Sequence, residues 1–314
     1  MPSISIIMYV KNGAATIAQA IESVVTQDYA ARELIAIDGA STDGTLDVIR
    51  RYAPHFAHIV SEPDSGAFEA ANKGVALATG DILLFVMADD WLAPGALADI
   101  AAAFDADPDC DIVSSGVRVV EQQPDSSFAT VLERSGTSNA MTLENLLRAP
   151  YATARFYRRR AFDRVGGFSS DYPFGHDREL LLRLMAAGAR ERIVERPLYI
   201  LRRHAGSTTL VFRPAIYRVL YDEHVRMARR YRGDAGFEPA AQQMIADWEV
   251  EQFARWALLE LGQGNLGAAI QKGVAGALYR PRALLALWRR FRAILAHRRA
   301  VRDGAAAAAP TPAG

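Results

Sequence analysis

Apolar residues in the first third of the chain gather in short runs, and stretches of helical period separate the runs. Ile4 to Val10 is almost unbroken apolar sequence, the pattern of a buried strand. After it, Thr16-Ile17-Ala18-Gln19 reads as a capping box, and Ile17, Ala20, Ile21, Val24 and Val25 recur at helical spacing. The alternation then repeats. Leu34 to Ile37 predicts a strand and Thr45 to Tyr52 a helix, with Leu46, Ile49 and Tyr52 on one side. Ile59-Val60 predicts a short strand, Glu62 to Gly66 a turn-rich loop, Phe68 to Ala78 a helix, and Ile82 to Met87 the most apolar strand of all. Strands alternating with helices of this length predict an α/β fold, with a parallel sheet and right-handed crossovers.

Past Trp91 the regularity weakens and the sheet is expected to become mixed. Pro94 to Phe104 predicts a helix and Ile112 to Val120 a strand, while Glu121 to Ser138 reads as a hairpin or a polar loop. Leu180 to Ala187 is helical in period and Leu198 to Arg202 strand-like. From about Pro214 helix follows helix, with Tyr217, Leu220, Tyr221 and His224, then Trp248, Phe253 and Trp256. The expected division is a catalytic domain over 1–211, a helical region over 212–303 and a disordered Ala- and Pro-rich tail over 304–314.

The chain has 314 residues, half of them hydrophobic, with 36 basic and 36 acidic side chains. That length buries a full core, and the zero net charge speaks against a nucleic-acid partner, because such proteins need surplus Lys and Arg. The balance is local as well as global: Gln271 to Asp303 carries nine basic residues against the single acid Asp303. As a helix from Arg282, this segment would group Leu284, Leu287, Trp288, Phe291 and Leu295 on one face. That pattern fits either an anionic membrane surface or packing on the chain's own domain. Cys110, the single cysteine, has no intramolecular disulfide partner, so it reads as a packing residue in a reducing, cytoplasmic setting. The opening Met-Pro-Ser-Ile lacks a basic n-region and reads as a strand, not a signal peptide.

Candidate chemistry sits at the ends of predicted strands. Asp38 to Thr45 (DGASTDGT) offers carboxylates among small residues at a strand exit, where open α/β sheets bind ligands; it reads equally as an ordinary turn and helix cap. Asp89 and Asp90 follow the most apolar strand. Two adjacent carboxylates suit a hard cation, Mg²⁺ or Mn²⁺, on phosphate oxygens; the alternatives are a solvated loop, or Asp89 capping the helix near Pro94. Asp177 opens a leucine-rich helix whose dipole favours an anion, as a general base requires, though spacing alone reads as plain dipole compensation. His204, after Arg202-Arg203, has the chemistry of a metal or phosphate contact.

Taken in order, Ile4 to Val10 with Asn12, Ile37 to Thr45, Ser61 to Gly66, Ala70 to Gly74, Gly80-Asp81, Ala88-Asp89-Asp90, Gly166-Gly167-Phe168 and His176-Asp177 to Arg183 closely resemble the family 2 glycosyltransferases of the GT-A fold. The resemblance covers roughly Ser3 to Ser207 and is nearest to members that build bacterial surface polysaccharides and glycolipids. It implies that Asp38 holds the nucleobase, that Asp43 lies near the nucleotide, and that Asn72 and Lys73 face the nucleotide or diphosphate. It further implies that Asp89 binds the ribose or sugar, Asp90 the metal, and His204 a further metal or diphosphate contact. Asp177 matches the catalytic base. The implied partners are a nucleoside-diphosphate sugar donor and a glycan or lipid-linked acceptor. Lys11, Ala71, Ala88 and His176 depart from the usual Tyr, Arg, first DxD acid and Glu or Ala, which bears on nucleotide choice and metal affinity. Two rivals compete with an inverting transferase: a catalytically silent sugar-nucleotide-binding subunit, and a sugar-nucleotide pyrophosphorylase, whose Gly-rich basic loop Tyr9 to Gly13 matches poorly.

Overall fold

A computed structural model describes residues 1–148, 152–204 and 213–279. The elements run β1 (Ile4–Val10), α1 (Ile17–Val25), β2 (Arg32–Asp38), α2 (Thr45–Arg51), β3 (His58–Ser61), α3 (Ala67–Leu77), β4 (Ile82–Phe85), β5 (Trp91–Leu92) and α4 (Ala96–Asp105). They continue with β6 (Ile112–Gln122), β7 (Phe128–Arg134), α5 (Leu143–Arg148), β8 (Arg155–Arg158), α6 (Arg159–Val165), α7 (His176–Ala186) and β9 (Glu191–Arg203). Three helices close the described chain: α8 (Pro214–Tyr231), α9 (Pro239–Gly262) and α10 (Leu266–Tyr279).

The strands form one mixed sheet in the order β3-β2-β1-β4-β8-β6-β9-β5, with β7 paired to β6. Pairing is parallel through β3, β2, β1 and β4, turns antiparallel at β8, and is parallel again between β6 and β9. Ile4, Ile6, Ile7 and Ile35, Ile37 are fully buried, as expected of central strands covered on both faces. The polar stretch after β6 is the hairpin partner β7, exposed along nearly its whole length.

Two expectations fail at this level. The capping box is absent: Thr16 makes no side-chain cap bond, and Gln19 spends its carbonyl on the Arg202 guanidinium instead, a tertiary partner outcompeting a local one. Asp89 does not cap α4, whose N-terminal flanking residue is Gly95. Cys110 is buried and free, as a packing residue should be.

The chain divides into two compact units, Met1–Ile216 with Asp234–Glu238, and Tyr217–Gly233 with the residues from Pro239 onward. The second unit is helical and has polar contacts inside it. Glu249, 1% exposed, takes Arg229 at 2.8 Å and Arg232 at 2.6 Å, and Glu260 takes Arg218 at 2.7 Å. Such buried acids are tolerated because each is paired. The expected boundary at Val211, the basic segment from Arg282 and the tail over 304–314 lie outside the described residues.

Candidate active site

At the C-terminal edge of β1 and β2 the polar residues of two loops bind one another. Asn12 donates its N–H to Ser41 Oγ at 2.8 Å and accepts from Thr42 N–H at 2.9 Å. Gly13 N–H donates to Thr45 Oγ1 and Ala14 N–H to Asp43, at 2.8 and 3.0 Å. Asp43 also accepts from Thr45 N–H and Oγ1. These bonds, led by that of Thr45 Oγ1, hold its carboxyl below the ordinary range. The DGASTDGT motif is thus a loop-to-loop clasp.

Asp38 lies within this clasp with no exposed surface. Its carboxylate accepts from Ser61 Oγ at 2.6 Å and from Ser41 N–H at 3.2 Å. The side chain implied for the nucleobase is thus taken up by partners inside the protein. Asn72 and Lys73, implied to face the nucleotide or diphosphate, are partly exposed and also bonded within the protein. Lys73 is bonded to Glu62 at 2.8 Å, Glu69 at 3.0 Å and Pro63 O at 3.1 Å. Asn72 grips the backbone of Phe168, donating to its carbonyl at 2.8 Å and accepting from its N–H at 2.9 Å. Gly167 lacks a Cβ where one would collide with Asn72.

Asp89 and Asp90 are placed by β9. β5 pairs antiparallel with it, Trp91 opposite Ile200 and Leu92 opposite Tyr199. The Tyr199 hydroxyl accepts from Met87 N–H at 3.0 Å, and Arg202 N–H donates to Asp90 at 2.9 Å. Asp90 is 4% exposed. Burial first, and then the charge of Asp89, push its carboxyl well above the usual carboxylate range. Asp89 stays half-exposed and meets His204 Nε2 at 3.0 Å. No cluster of three acidic, His or Cys side chains is assembled for a metal among the described residues. The donor set of adjacent carboxylates and an imidazole nevertheless fits Mg²⁺ or Mn²⁺.

Asp177 stands in the first turn of α7, half-buried, with Oδ1 accepting its neighbour's Arg178 N–H at 2.6 Å. The turn is fixed from below: Glu179, 1% exposed, pairs with Arg183 at 2.7 Å. Arg183 also donates to the carbonyls of Val165 at 2.6 Å and Gly167 at 2.8 Å. His176 rests edge-on against Phe168, ring centroids 5.2 Å apart.

Sequence reasoning passed over Tyr9, whose phenol feels the charge of all three acids. Burial raises its phenol well above the ordinary value, and the charges of Asp177, then Tyr157, Asp90 and Asp89, raise it further. Tyr9 therefore lies within the fields of the first-turn acid of α7 and of both β4-exit acids. Tyr199 and Arg202 were missed as well. The available signal was a tyrosine inside an apolar run, since a buried Tyr hydroxyl needs a hydrogen-bond partner.

The model of Glycosyl transferase family 2 matches residues 5–166, more than half of the chain. The chain belongs to glycosyl transferase family 2. A PGL/p-HBAD biosynthesis glycosyltransferase of Mycobacterium bovis is 34% identical over 180 residues, a match that spans 54% of this chain and 65% of that protein. The putative glycosyltransferase EpsE of Bacillus subtilis is 32% identical over 125 residues, 38% of this chain and 45% of its own. Among solved structures, S. aureus TarS in complex with UDP-GlcNAc shares the fold at TM-score 0.64 and 17% identity, over 87% of this chain and 89% of that one. Mannosyltransferase PcManGT from Pyrobaculum calidifontis, in complex with GDP-Man and Mn2+, does so at TM-score 0.56 and 23% identity, over 89% and 81%. The family 2 chain thus has the GT-A arrangement, a mostly parallel sheet flanked by helices.

Proposed function

We propose that this family 2 chain is an inverting glycosyltransferase. It moves a sugar from a nucleoside-diphosphate donor to a hydroxyl of a glycan or lipid-linked acceptor in surface-polysaccharide or glycolipid biosynthesis. The observation that carries this reading is that the charges of Asp177, Asp90 and Asp89, the candidate base and the candidate cation ligands, all act on Tyr9 at the end of β1. Asp177 accepts the acceptor's hydroxyl proton while that oxygen attacks the anomeric carbon from the face opposite the diphosphate. The nucleoside diphosphate leaves with the bonding pair, so configuration inverts. Asp90, Asp89 and His204 would hold the divalent cation, and Arg202 N–H keeps Asp90 in place for it. When bound, such a cation neutralises the charge that develops on the leaving diphosphate. Positioning by these residues supplies much of the rate.

An acceptor at a lipid surface is supported by the second unit. No helix among the described residues is long and apolar enough to cross a membrane. Leu266, Ile270 and Val274, however, stand exposed at successive turns of α10, just ahead of the arginine-rich sequence from Arg280. Apolar side chains beside clustered arginines complement an anionic bilayer surface. Cosedimentation with phosphatidylglycerol vesicles but not phosphatidylcholine vesicles is the expected result, and equal recovery in both supernatants overturns it.

The function is tested by thermal shift of the purified chain against UDP-, GDP- and dTDP-sugars with and without Mn²⁺, since a ligand of the native state raises its stability. A metal-dependent shift with one donor class, lost in Asp90→Ala, together with transfer to an acceptor, is expected. Binding without turnover of any donor would instead identify a silent binding subunit.

A further inference from the structure

With Asp38 sealed in the loop clasp, a different carboxylate stands at the exit of β2. Asp64 comes from the loop between β3 and α3. A Cβ added to Gly39 would collide with Asp64 Oδ2 and come within 3.2 Å of its Cγ. The carboxylate thus lies directly over the Cα of Gly39, which only a glycine at that position permits. The Cβ of Lys11, from the exit of β1, is 3.5 Å from the same point, so Asp64 lies where the β1 and β2 exits meet.

The loop is built to hold Asp64 there. Gly66 N–H donates to Asp64 Oδ1 at 3.0 Å, which fixes the side chain in a tight turn. Ser65 N–H donates to Glu69 at 2.9 Å. Lys73 ties Glu62, the Pro63 carbonyl and Glu69 together at 2.8, 3.1 and 3.0 Å. Each neighbour of Asp64 in the loop is anchored, and Oδ2 accepts no hydrogen bond among the described residues. A half-buried carboxylate oxygen held rigidly with unspent acceptor capacity is suited to receive an N–H.

Resting on the glycosyl-transfer reading above, we propose that Asp64, seated over Gly39, is the residue that reads the nucleobase of the donor, and that it selects bases presenting a ring N–H on their pairing edge. Uracil and thymine offer N3–H, and guanine offers N1–H with its 2-amino group. Cytosine and adenine place a lone pair at the matching ring nitrogen, which a carboxylate repels. Lys73 and Glu69 act on this choice as positioning residues through the loop, without touching the base.

The test titrates the full chain with UDP, dTDP, GDP, CDP and ADP, each with Mn²⁺, by calorimetry. The wild type is expected to bind one of the first three at least about tenfold more tightly than CDP, the size of one charge-assisted hydrogen bond. Asp64→Asn keeps an acceptor for Gly66 N–H and puts an amide N–H₂ over Gly39. It is expected to weaken the preferred nucleotide roughly tenfold to hundredfold and to bring CDP level with it. Gly39→Ala displaces the carboxylate without changing charge, and is expected to lose the same preference while the thermal midpoint stays within a few degrees of wild type. Wild-type preference for CDP or ADP, or an Asp64→Asn protein that keeps the wild-type order and affinities, overturns the assignment while leaving glycosyl transfer standing. A wild type that binds none of the five overturns the glycosyl-transfer reading, and the assignment with it.

Discussion

Acidic and amide side chains line the sheet edge on both sides of β1, and the two sides use them differently. On the β2–β3 side, Asp38, Asp43, Asn72 and Lys73 are bonded to serines, threonines, backbone N–H groups or opposite charges within the protein. On the β4–β9 side and at the head of α7, Asp89 and Asp177 remain half-exposed, and Asp90 is buried beside another acid. A polar group already satisfied inside the fold has little to offer a ligand, whereas one left with acceptor capacity at a cleft does. The difference sorts the candidate residues into those already bonded within the fold and those with acceptor capacity left, although both sets sit in equally conspicuous motifs.

The sharpest form of the contrast is within one helical turn, between Asp177 and Glu179. Asp177→Asn removes the acceptor of the proton and is expected to lower turnover by about 10³-fold, within the 10²–10⁴ range for a general base. The dissociation constant for the nucleotide should stay at its wild-type value. Single-turnover assays beside calorimetry check this; a parallel loss of binding would make Asp177 a structural acid like its neighbour. Glu179→Ala, in contrast, strands Arg183 in a partly buried site. Breaking one partner of a buried pair costs about 3 kcal/mol or more, so the urea midpoint should fall markedly. Activity at low temperature, where the protein stays folded, should suffer much less than in Asp177→Asn.

Asn72 tests the other side. If it met the diphosphate, Asn72→Ala would raise the nucleotide dissociation constant. As a clamp on Phe168 it loses two backbone hydrogen bonds, about 1–3 kcal/mol of stability. It also loosens the Gly167-Phe168 turn that Arg183 and His176 pack against. The expected signature is reduced kcat and stability with unchanged nucleotide affinity.

Much of this architecture was legible in sequence because it rests on apolar period. Strands β1, β2 and β4 and helices α1 to α3 fall within a few residues of where their hydrophobic runs place them. β8 and α6 were not foreseen: Arg155 to Arg158 reads as charged sequence, yet Arg155 is 1% exposed and donates to Asn139 O at 2.7 Å. A charged side chain buried by tertiary partners hides a strand from any pattern argument. The site was legible in a similar sense. The order of acidic motifs named the candidate acids, but which of them keep free surface depends on partners distant in sequence. Ser61 closes off Asp38 across 23 residues, and Arg202 holds Asp90 across 112.

The smallest effect expected follows from the clamp beneath Asp64. Ser65, through its hydroxyl and its N–H, together with Lys73 holds the Glu69 carboxyl down to about 2, from an ordinary 4.5. A carboxyl with a lowered value in the folded state binds fewer protons there than in the unfolded chain. Its contribution is therefore complete above pH 4.5, declines as the pH falls through the interval, and vanishes near 2. Glu69 is largely solvated, so screening keeps the effect small. Glu69→Gln should accordingly lower the thermal midpoint slightly at neutral pH, and the gap from wild type should close as acid protonates the native glutamate. A gap that persists unchanged down to pH 3 would mean that the loop is held by shape and backbone bonds, with no electrostatic part for Glu69.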